Sequence, residues 1–383
     1  MSNYPSRNRV IYQSDAVFAA PTGAASPLTI AEHSIRRVQS CNYNFSIQRQ
    51  DINQFGELAA IDRLIIQEPT VSVDMSYYFE PTGFNERHLG LRTNAVTGVS
   101  SVADHMLDYI ISSGANYDQK NIFILTSDAG VDANDPTAMA KSSNYDGIIG
   151  IGNAFLTSWS LEAAVGGIPT VSCALEGQNI VFTGGIVSPI VPNPAIVNGV
   201  DPGVAVTLPS GAALFDSSAE VAAVRPGDIT LFLGTTESDD APMVGLKETD
   251  LKIQSATVAM TVNREPIRKL GNSFAFAREI TFPINCTMSV NAVVGVLASQ
   301  KLFSLVNRAC DDATKYTAML TINGYKGSTC TANTAYIILK GAKLDSQNIT
   351  SSIGPNKTVT FELSAQIGKN SGLHFRSSDP ANP

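Results

Sequence analysis

Residues 154–178, AFLTSWSLEAAVGGIPTVSCALEGQ, recur without a gap as residues 342–366, AKLDSQNITSSIGPNKTVTFELSAQ. Eight of these 25 positions are identical at a constant spacing of 188 residues: Ala154/Ala342, Leu156/Leu344, Ser158/Ser346, Gly166/Gly354, Thr170/Thr358, Val171/Val359, Leu175/Leu363 and Gln178/Gln366. An internal repeat fixes the plan of a chain before any single residue is interpreted. Each copy carries two apolar runs around a recurring glycine, the pattern of a strand pair whose turn needs positive φ.

Two further blocks recur in the same order. VQSCNYNFSIQR (38–49) answers to IQSATVAMTVNR (253–264) at a spacing of 215. Apolar residues alternate in both, Tyr43, Phe45 and Ile47 in the first and Val258, Met260 and Val262 in the second. That period of two belongs to a strand with one buried face. The spacing holds through a loop where Ile52/Ile267 and Gly56/Gly271 coincide, and into a second alternating run, Val71, Val73 and Met75 against Cys286, Met288 and Val290. Each copy therefore reads as a hairpin with a connection of about twenty residues. Loops beyond ~12–15 residues are commonly functional, so this one is expected to make contacts outside its own domain. At a spacing of 195, DHMLDYII (104–111) lies opposite SQKLFSLV (299–306), and the 3–4 spacing of their apolar residues predicts one short helix in each copy. The strand that follows, FILTSDAG (123–130), matches AMLTINGY (318–325).

These blocks predict a mainly β, internally duplicated two-domain chain. Each domain is expected to be a β-sandwich or partly closed barrel with one short helix, the first over residues 1–185 and the second over 226–383. Between them, 186–225 is dense in Pro and Gly and reads as a connector or arm, with a short strand predicted at Val204–Leu208. Alternating βαβ units are absent, which argues against a doubly wound nucleotide-binding fold.

Composition narrows the function. The 383 residues hold 26 Lys+Arg against 34 Asp+Glu, a net charge of −8, which excludes a basic nucleic-acid binder. With 44% hydrophobic residues the chain can bury a core, so disorder over most of it is excluded. No run approaches the ~20 apolar residues that span a bilayer, and MSNYPSRNRVIYQSDAVF lacks a signal-peptide core. A soluble protein without membrane anchoring, made in the cytoplasm, is expected.

Catalytic constellations are sparse. Cys41, Cys173, Cys286, Cys310 and Cys330 are widely spaced and form no C-x-x-C pair, so they read as small apolar side chains. His33, His88, His105 and His374 fall in no metal-ligand pattern. Asp128, Asp132 and Asp135 resemble a calcium loop but lack its alternate carboxylates, and Glu237, Asp239 and Asp240 read likewise as a solvated turn. GIIGIGNA (147–154) lacks the Lys-Ser/Thr of a phosphate loop, and Ser127 and Ser158 sit in no nucleophile elbow. Neither an enzyme nor a cofactor or metal protein is expected.

The repeated hairpins, residues 40–79 and 255–294, and the strand pair 158–177 resemble bacteriophage tail-tube proteins. The resemblance covers both halves apart from the connector and lies in pattern and block order. It implies a sheet face turned toward a central channel, side-by-side subunits, and long loops that reach the neighbouring ring. On that basis 48–62 and 263–277 are the stacking loops, with Arg49, Asp51, Phe55, Arg264, Arg268 and Leu270 as contact residues. Lumen candidates are Glu57, Asp62, Glu68 and Asp74, whose carboxylates would repel passing DNA. If six one-domain subunits make the ancestral ring, three two-domain chains close the same ring, so a homotrimer is expected, with a hexamer as the alternative. Partners are then other copies, other tail proteins and transiting DNA, in a virion. The rival readings are a capsid, neck or decoration protein, and a carbohydrate- or receptor-binding module.

Overall fold

The structure, a computed structural model, describes residues 15–23, 27–29, 33–91, 104–107, 119–127, 133, 145–186, 190–197, 201, 203–209, 229–236, 239–240, 251–271, 274–275, 277–294, 315–326, 331–351, 356–368 and 371–378. Eight strand segments form one continuous antiparallel sheet, here called the wall. In spatial order they are β3 (Val38–Ser46), β6 (Thr70–Tyr78), β10 (Thr170–Gly177), the second half of β9 (Tyr145–Ala164), β16 (Leu251–Thr261), β19 (Asn285–Val294), β22 (Thr358–Gln366) and the second half of β21 (Thr331–Thr350). Alternation along each strand gives the wall two unlike faces. In β6, Val71, Val73, Met75 and Tyr77 are buried while Ser72 and Asp74 are exposed.

A second layer covers the apolar face of each half. Behind the first four strands lie β2 (Ser34–Ile35), β1 (Asp15–Pro21), β8 (Lys120–Ser127), the first half of β9 and β11 (Asn179–Ile186). Behind the last four lie β15 (Asp239–Asp240), β14 (Ile229–Thr236), β20 (Tyr316–Lys326), the first half of β21, β23 (Gly372–Ser378) and β7 (Asp104–His105). The result is a pair of sandwiches; no barrel closes among the described residues. One apolar core runs through both, from Val73 and Tyr77 past Trp159 and Leu161 to Val258, Met288 and Phe361.

The pairing of the second half repeats that of the first. Cys41 faces Met75 across β3 and β6, and Ala256 faces Val290 across β16 and β19, each position displaced by the same 215 residues. The register shift between Val38 and Ser40 recurs between Ile253 and Ser255. Strand β8 departs from the sequence alignment by one residue. Its bulge between Lys120 and Ile122 answers to the one between Tyr316 and Ala318, so Ile122 corresponds to Ala318 and not to Thr317. A one-residue slip reverses the faces of a strand, and only the pairing reveals it.

The two 20-residue strands bridge the layers by the same device. β9 pairs with β8 up to Ala154 and with β10 from Phe155; β21 pairs with β20 up to Ala342 and with β22 from Lys343. Just before each switch stands a residue at positive φ, Asn153 at 52° and Gly341 at 68°, equivalent at the spacing of 188. Asn is among the few side chains that tolerate this conformation. The Asn153 amide also holds the connector, donating to Ile196 O at 3.1 Å while its Oδ1 accepts from the Ile196 N–H at 2.6 Å.

The connector packs on the outside of the first sandwich. Its hairpin, β12 (Ile190–Pro192) with β13 (Ala205–Thr207), places the predicted short strand within Val204–Leu208. Val191, Val206 and Leu208 bury against Phe18, Phe123, Leu125 and Ile148, on the face of β1 and β8 that looks away from the wall.

The start of the first expected helix, 104–107, is not helical. Asp104–His105 pairs as β7 with Phe375 and His374, the Met106 N–H donates to Leu373 O, and Met106 and Leu107 are buried. Pairing with a free strand edge overrides the helical spacing. Residues 108–111 and 299–306 lie outside the described residues. The one described helix is Phe84–His88, which follows β6 and holds β2. Asn85 Oδ1 accepts from the Arg36 N–H at 2.8 Å, and Tyr77 Oη donates to Glu86 Oε1 at 2.9 Å in the core. His88 Nδ1 donates to Ser34 O at 2.8 Å, while its Nε2 accepts from Arg87 Nη2 at 3.1 Å, an arrangement that requires the neutral ring.

Two predictions follow from this packing. A Cβ added at Gly152 would sit 2.0 Å from Pro194 O, whereas one at Gly147 would find its nearest neighbour at 3.5 Å. Gly152→Ala should therefore lower stability in urea by about 1–3 kcal/mol, with Gly147→Ala much milder. Burial first, then the neighbouring Arg87 cation, depresses the His88 pKa from 6.5 to about 3. The unfolded chain binds a proton that the folded chain refuses, so this contribution is complete above pH 6.5 and is lost as pH falls toward 3. Urea midpoints at pH 7 and 4.5 should fall further for the parent than for His88→Asn.

Candidate assembly interface

The wall ends in two free edges, β3 on one side and the second half of β21 on the other, and neither is paired among the described residues. A long unpaired edge presents a row of N–H and C=O groups to any other strand. Here the edge residues that point to the apolar side are also bare. Tyr43, Phe45 and Ile47 are 37, 49 and 38% exposed; their counterparts Val258, Met260 and Val262 are 0–1% exposed, because β9 of the first half pairs beside β16. Phe182 on β11, in ring contact with Tyr43, is 57% exposed, while Phe375, in the corresponding place on β23, is 1% exposed. On the opposite edge Ile349 is 41% exposed and its counterpart Leu161 is fully buried. The same positions are thus covered at the junction inside the chain and uncovered at its two ends.

The long loops are two β-fingers. Finger 1 is the hairpin β4 (Arg49–Ile52) and β5 (Asp62–Ile65); finger 2 is β17 (Arg264–Ile267) and β18 (Ala277–Ile280). Gly56 and Gly271 mark equivalent tips, at φ 97° and 88°. Finger 1 stands free: Arg49 and Asp51 on β4 and Phe55 and Leu58 at the tip are exposed, as are Leu64, Ile65 and Ile66. Its polar bonds are internal, Arg63 Nε to Asp51 Oδ1 at 2.5 Å and Gln54 Nε2 to Glu57 Oε1 at 2.9 Å.

Finger 2 is seated on the first half of its own chain. The buried Glu68 carboxylate accepts from the Ala275 N–H at 2.5 Å and lies 3.7 Å from both Arg268 and Arg278. Arg278 also binds Glu176, and the Arg264 guanidinium lies 4.8 Å from the centroid of the Phe155 ring. Ala275 and Arg278 are buried in this seat, while residues 265–271, with Leu270 at the tip, remain exposed.

The structure sorts the residues singled out in the sequence accordingly. Arg49, Asp51, Phe55 and Leu270 lie on exposed finger surface, whereas Arg264 and Arg268 are engaged within the chain. Of the lumen candidates, Asp74 stands on the open face of the wall. Glu57 and Asp62 belong to finger 1, off the wall, and Glu68 is corrected outright: its side chain is 2% exposed and bonded to finger 2, so it lines no channel. Alternation placed Glu68 beyond the start of β6, where the strand rule no longer applies. The open face is mostly Ser, Thr, Asn and Ala, with Glu162 and Glu362 besides Asp74, Glu176 engaged with Arg278, and the cations Lys252 and Lys343; Asp74, Glu162 and Glu362 have no ion-pair partner among the described residues. Neither Glu162 nor Glu362, nor the Tyr43 row, stood out in one copy read alone; comparing Tyr43 with Val258 was the available signal.

No group of three His, Cys, Asp or Glu that could hold a metal ion occurs among the described residues, and no described helix is long and apolar enough to cross a membrane. No protein-family model matches the chain, and no curated protein matches it.

Removing the Glu68 carboxylate tests the seat of finger 2. Breaking a buried pair costs about 3–5 kcal/mol when the other ion is stranded, but Glu176 retains Arg278, so Glu68→Ala should loosen the finger by about 1–3 kcal/mol. Hydrogen exchange should accelerate across residues 264–280 and stay unchanged in the wall strands.

Proposed function

We propose that the chain is a structural subunit that polymerises edge to edge into rings, and that these stack into a tail tube of a phage or phage-like particle with no catalytic role. The observation that carries this reading is the contrast between buried Val258, Met260 and Val262 and exposed Tyr43, Phe45 and Ile47 at equivalent positions. A neighbour that covers the second set gains on the order of 1 kcal/mol for each half-exposed side chain, besides the backbone bonds of the edge. The cost of leaving such an edge bare makes a partner the economical explanation for its length.

Three copies supply twenty-four wall strands, eight from each. At ~4.8 Å between strands and a tilt of ~40°, such a cylinder is about 50 Å across, wider than the 16–18-stranded barrels that already hold an aqueous channel. The open face then lines the channel with hydroxyl and amide groups, sparse carboxylates and, among the described residues, only two cations, Lys252 and Lys343, too few to hold a sliding polyanion. Finger 1, apolar and without a seat in its own chain, suits contact with the adjacent ring. The connector lies on the opposite, outer surface. A carbohydrate-binding module is less well supported, since the single Trp, Trp159, is fully buried and offers no stacking platform.

Electron microscopy of the purified protein should show rings or tubes with a central hole. Phe45→Asp should leave a folded particle of monomer mass, because a carboxylate replaces the apolar contact at the edge. Rings formed equally well by this variant, or a parent that remains monomeric at high concentration, would overturn the reading.

A further inference from the structure

Resting on that reading, the junction inside one chain specifies the junction between chains. We infer that β3 of one copy pairs antiparallel with residues 346–351 of the next, head to tail, with Tyr43 opposite Ile349 and Asn44 opposite Asn348. Within the chain, β9 pairs with β16 so that Leu161 faces Val258, Ser160 faces Ala259 and Ser158 faces Thr261. β3 corresponds to β16 at the spacing of 215 and β21 to β9 at 188, as their shared registers with β6, β10, β19 and β22 establish. Carrying the internal register across by these spacings sets Cys41 against Ser351, Asn42 against Thr350, Phe45 against Gln347 and Ser46 against Ser346.

Two independent features agree with this register. Tyr43 and Ile349 both point to the apolar side of the wall, as their neighbours Val73 and Val359 do, so the pair joins the core row rather than the channel row. Register is strongly specified wherever one face is buried, because a slip of one residue would put Tyr43 and Phe45 into water. The bare apolar residues also occur where the seam needs them: Tyr43, Phe45 and Phe182 on one side and Ile349 on the other.

The equivalence stops at the fingers, and the difference assigns them separate work. The seat of finger 2 uses Glu68, Phe155 and Glu176. The corresponding positions of the second half are Pro283, Lys343 and Ser364, with neither carboxylate nor aromatic face. Finger 1 of the incoming copy therefore meets no equivalent clamp at the seam. The internal junction is held by backbone pairing, apolar contact and ion pairs, and the seam between copies by the first two. High salt should consequently leave the seam in place, since little of it depends on exposed charge.

Disulfide trapping tests the register. Asn44→Cys combined with Asn348→Cys places two thiols opposite each other on the channel face, within the Cα separation of 4.4–6.8 Å that a disulfide requires. After mild oxidation of the assembled protein, non-reducing electrophoresis should show covalent dimers and larger closed species. Each single variant, and the shifted pair Asn44→Cys with Ser346→Cys, should give at least tenfold less. Ala259→Cys with Ser160→Cys should cross-link without a change of mass, showing that the geometry permits the bond. Assemblies that form yet link only through the shifted pair, or through neither, overturn the register while sparing the polymer reading. A parent that stays monomeric by mass photometry overturns both.

Discussion

Unpaired backbone at a sheet edge is the constraint on which this molecule is built. The wall is wide because β9 of the first half pairs with β16 of the second through seven residues on each side, from Ser255 with Ala164 to Thr261 with Ser158. That pairing satisfies two edges at once and lets the apolar rows of both sandwiches merge into one core. Joining two modules in one chain makes half of such junctions intramolecular, where no translational freedom is lost on association. The outer edges keep the same chemistry and remain free.

The two halves share a plan and differ in detail. The strand registers, bulges and switch points are held in common, as Asn153 and Gly341 show, because a sandwich whose strands cross between layers depends on them. The fingers have no such obligation. Finger 2 has become part of the internal junction through Glu68, Glu176 and Arg278, while finger 1 keeps its apolar tip in water. The buried Glu68 is therefore better understood as fixing the direction of a hairpin than as a source of net stability, since ion pairs rarely recover their desolvation cost.

The repeat, the alternation of buried and exposed residues, the hairpin loops and the strand inside the connector could all be read from the sequence, because each depends on local period or on comparison of one copy with the other. The helix expected at 104–111 rested on that comparison and on 3–4 spacing, and neither registers a tertiary partner. In the first copy the tertiary partner β23 drew Asp104–His105 into a strand. Likewise β8 looked aligned until the matching bulges of β8 and β20 set its register, since a slip of one residue leaves no mark on composition or period.

What the sequence determined by itself is the duplicated β plan and the set of side chains that point to one face, both consequences of a two-residue period. What only the tertiary structure decided is which edges are covered. Val258 and Tyr43 carry the same message in the alternating pattern, yet one lies in a core and the other in water. The difference arises from a strand more than ninety residues away in the chain, beyond the reach of any local rule.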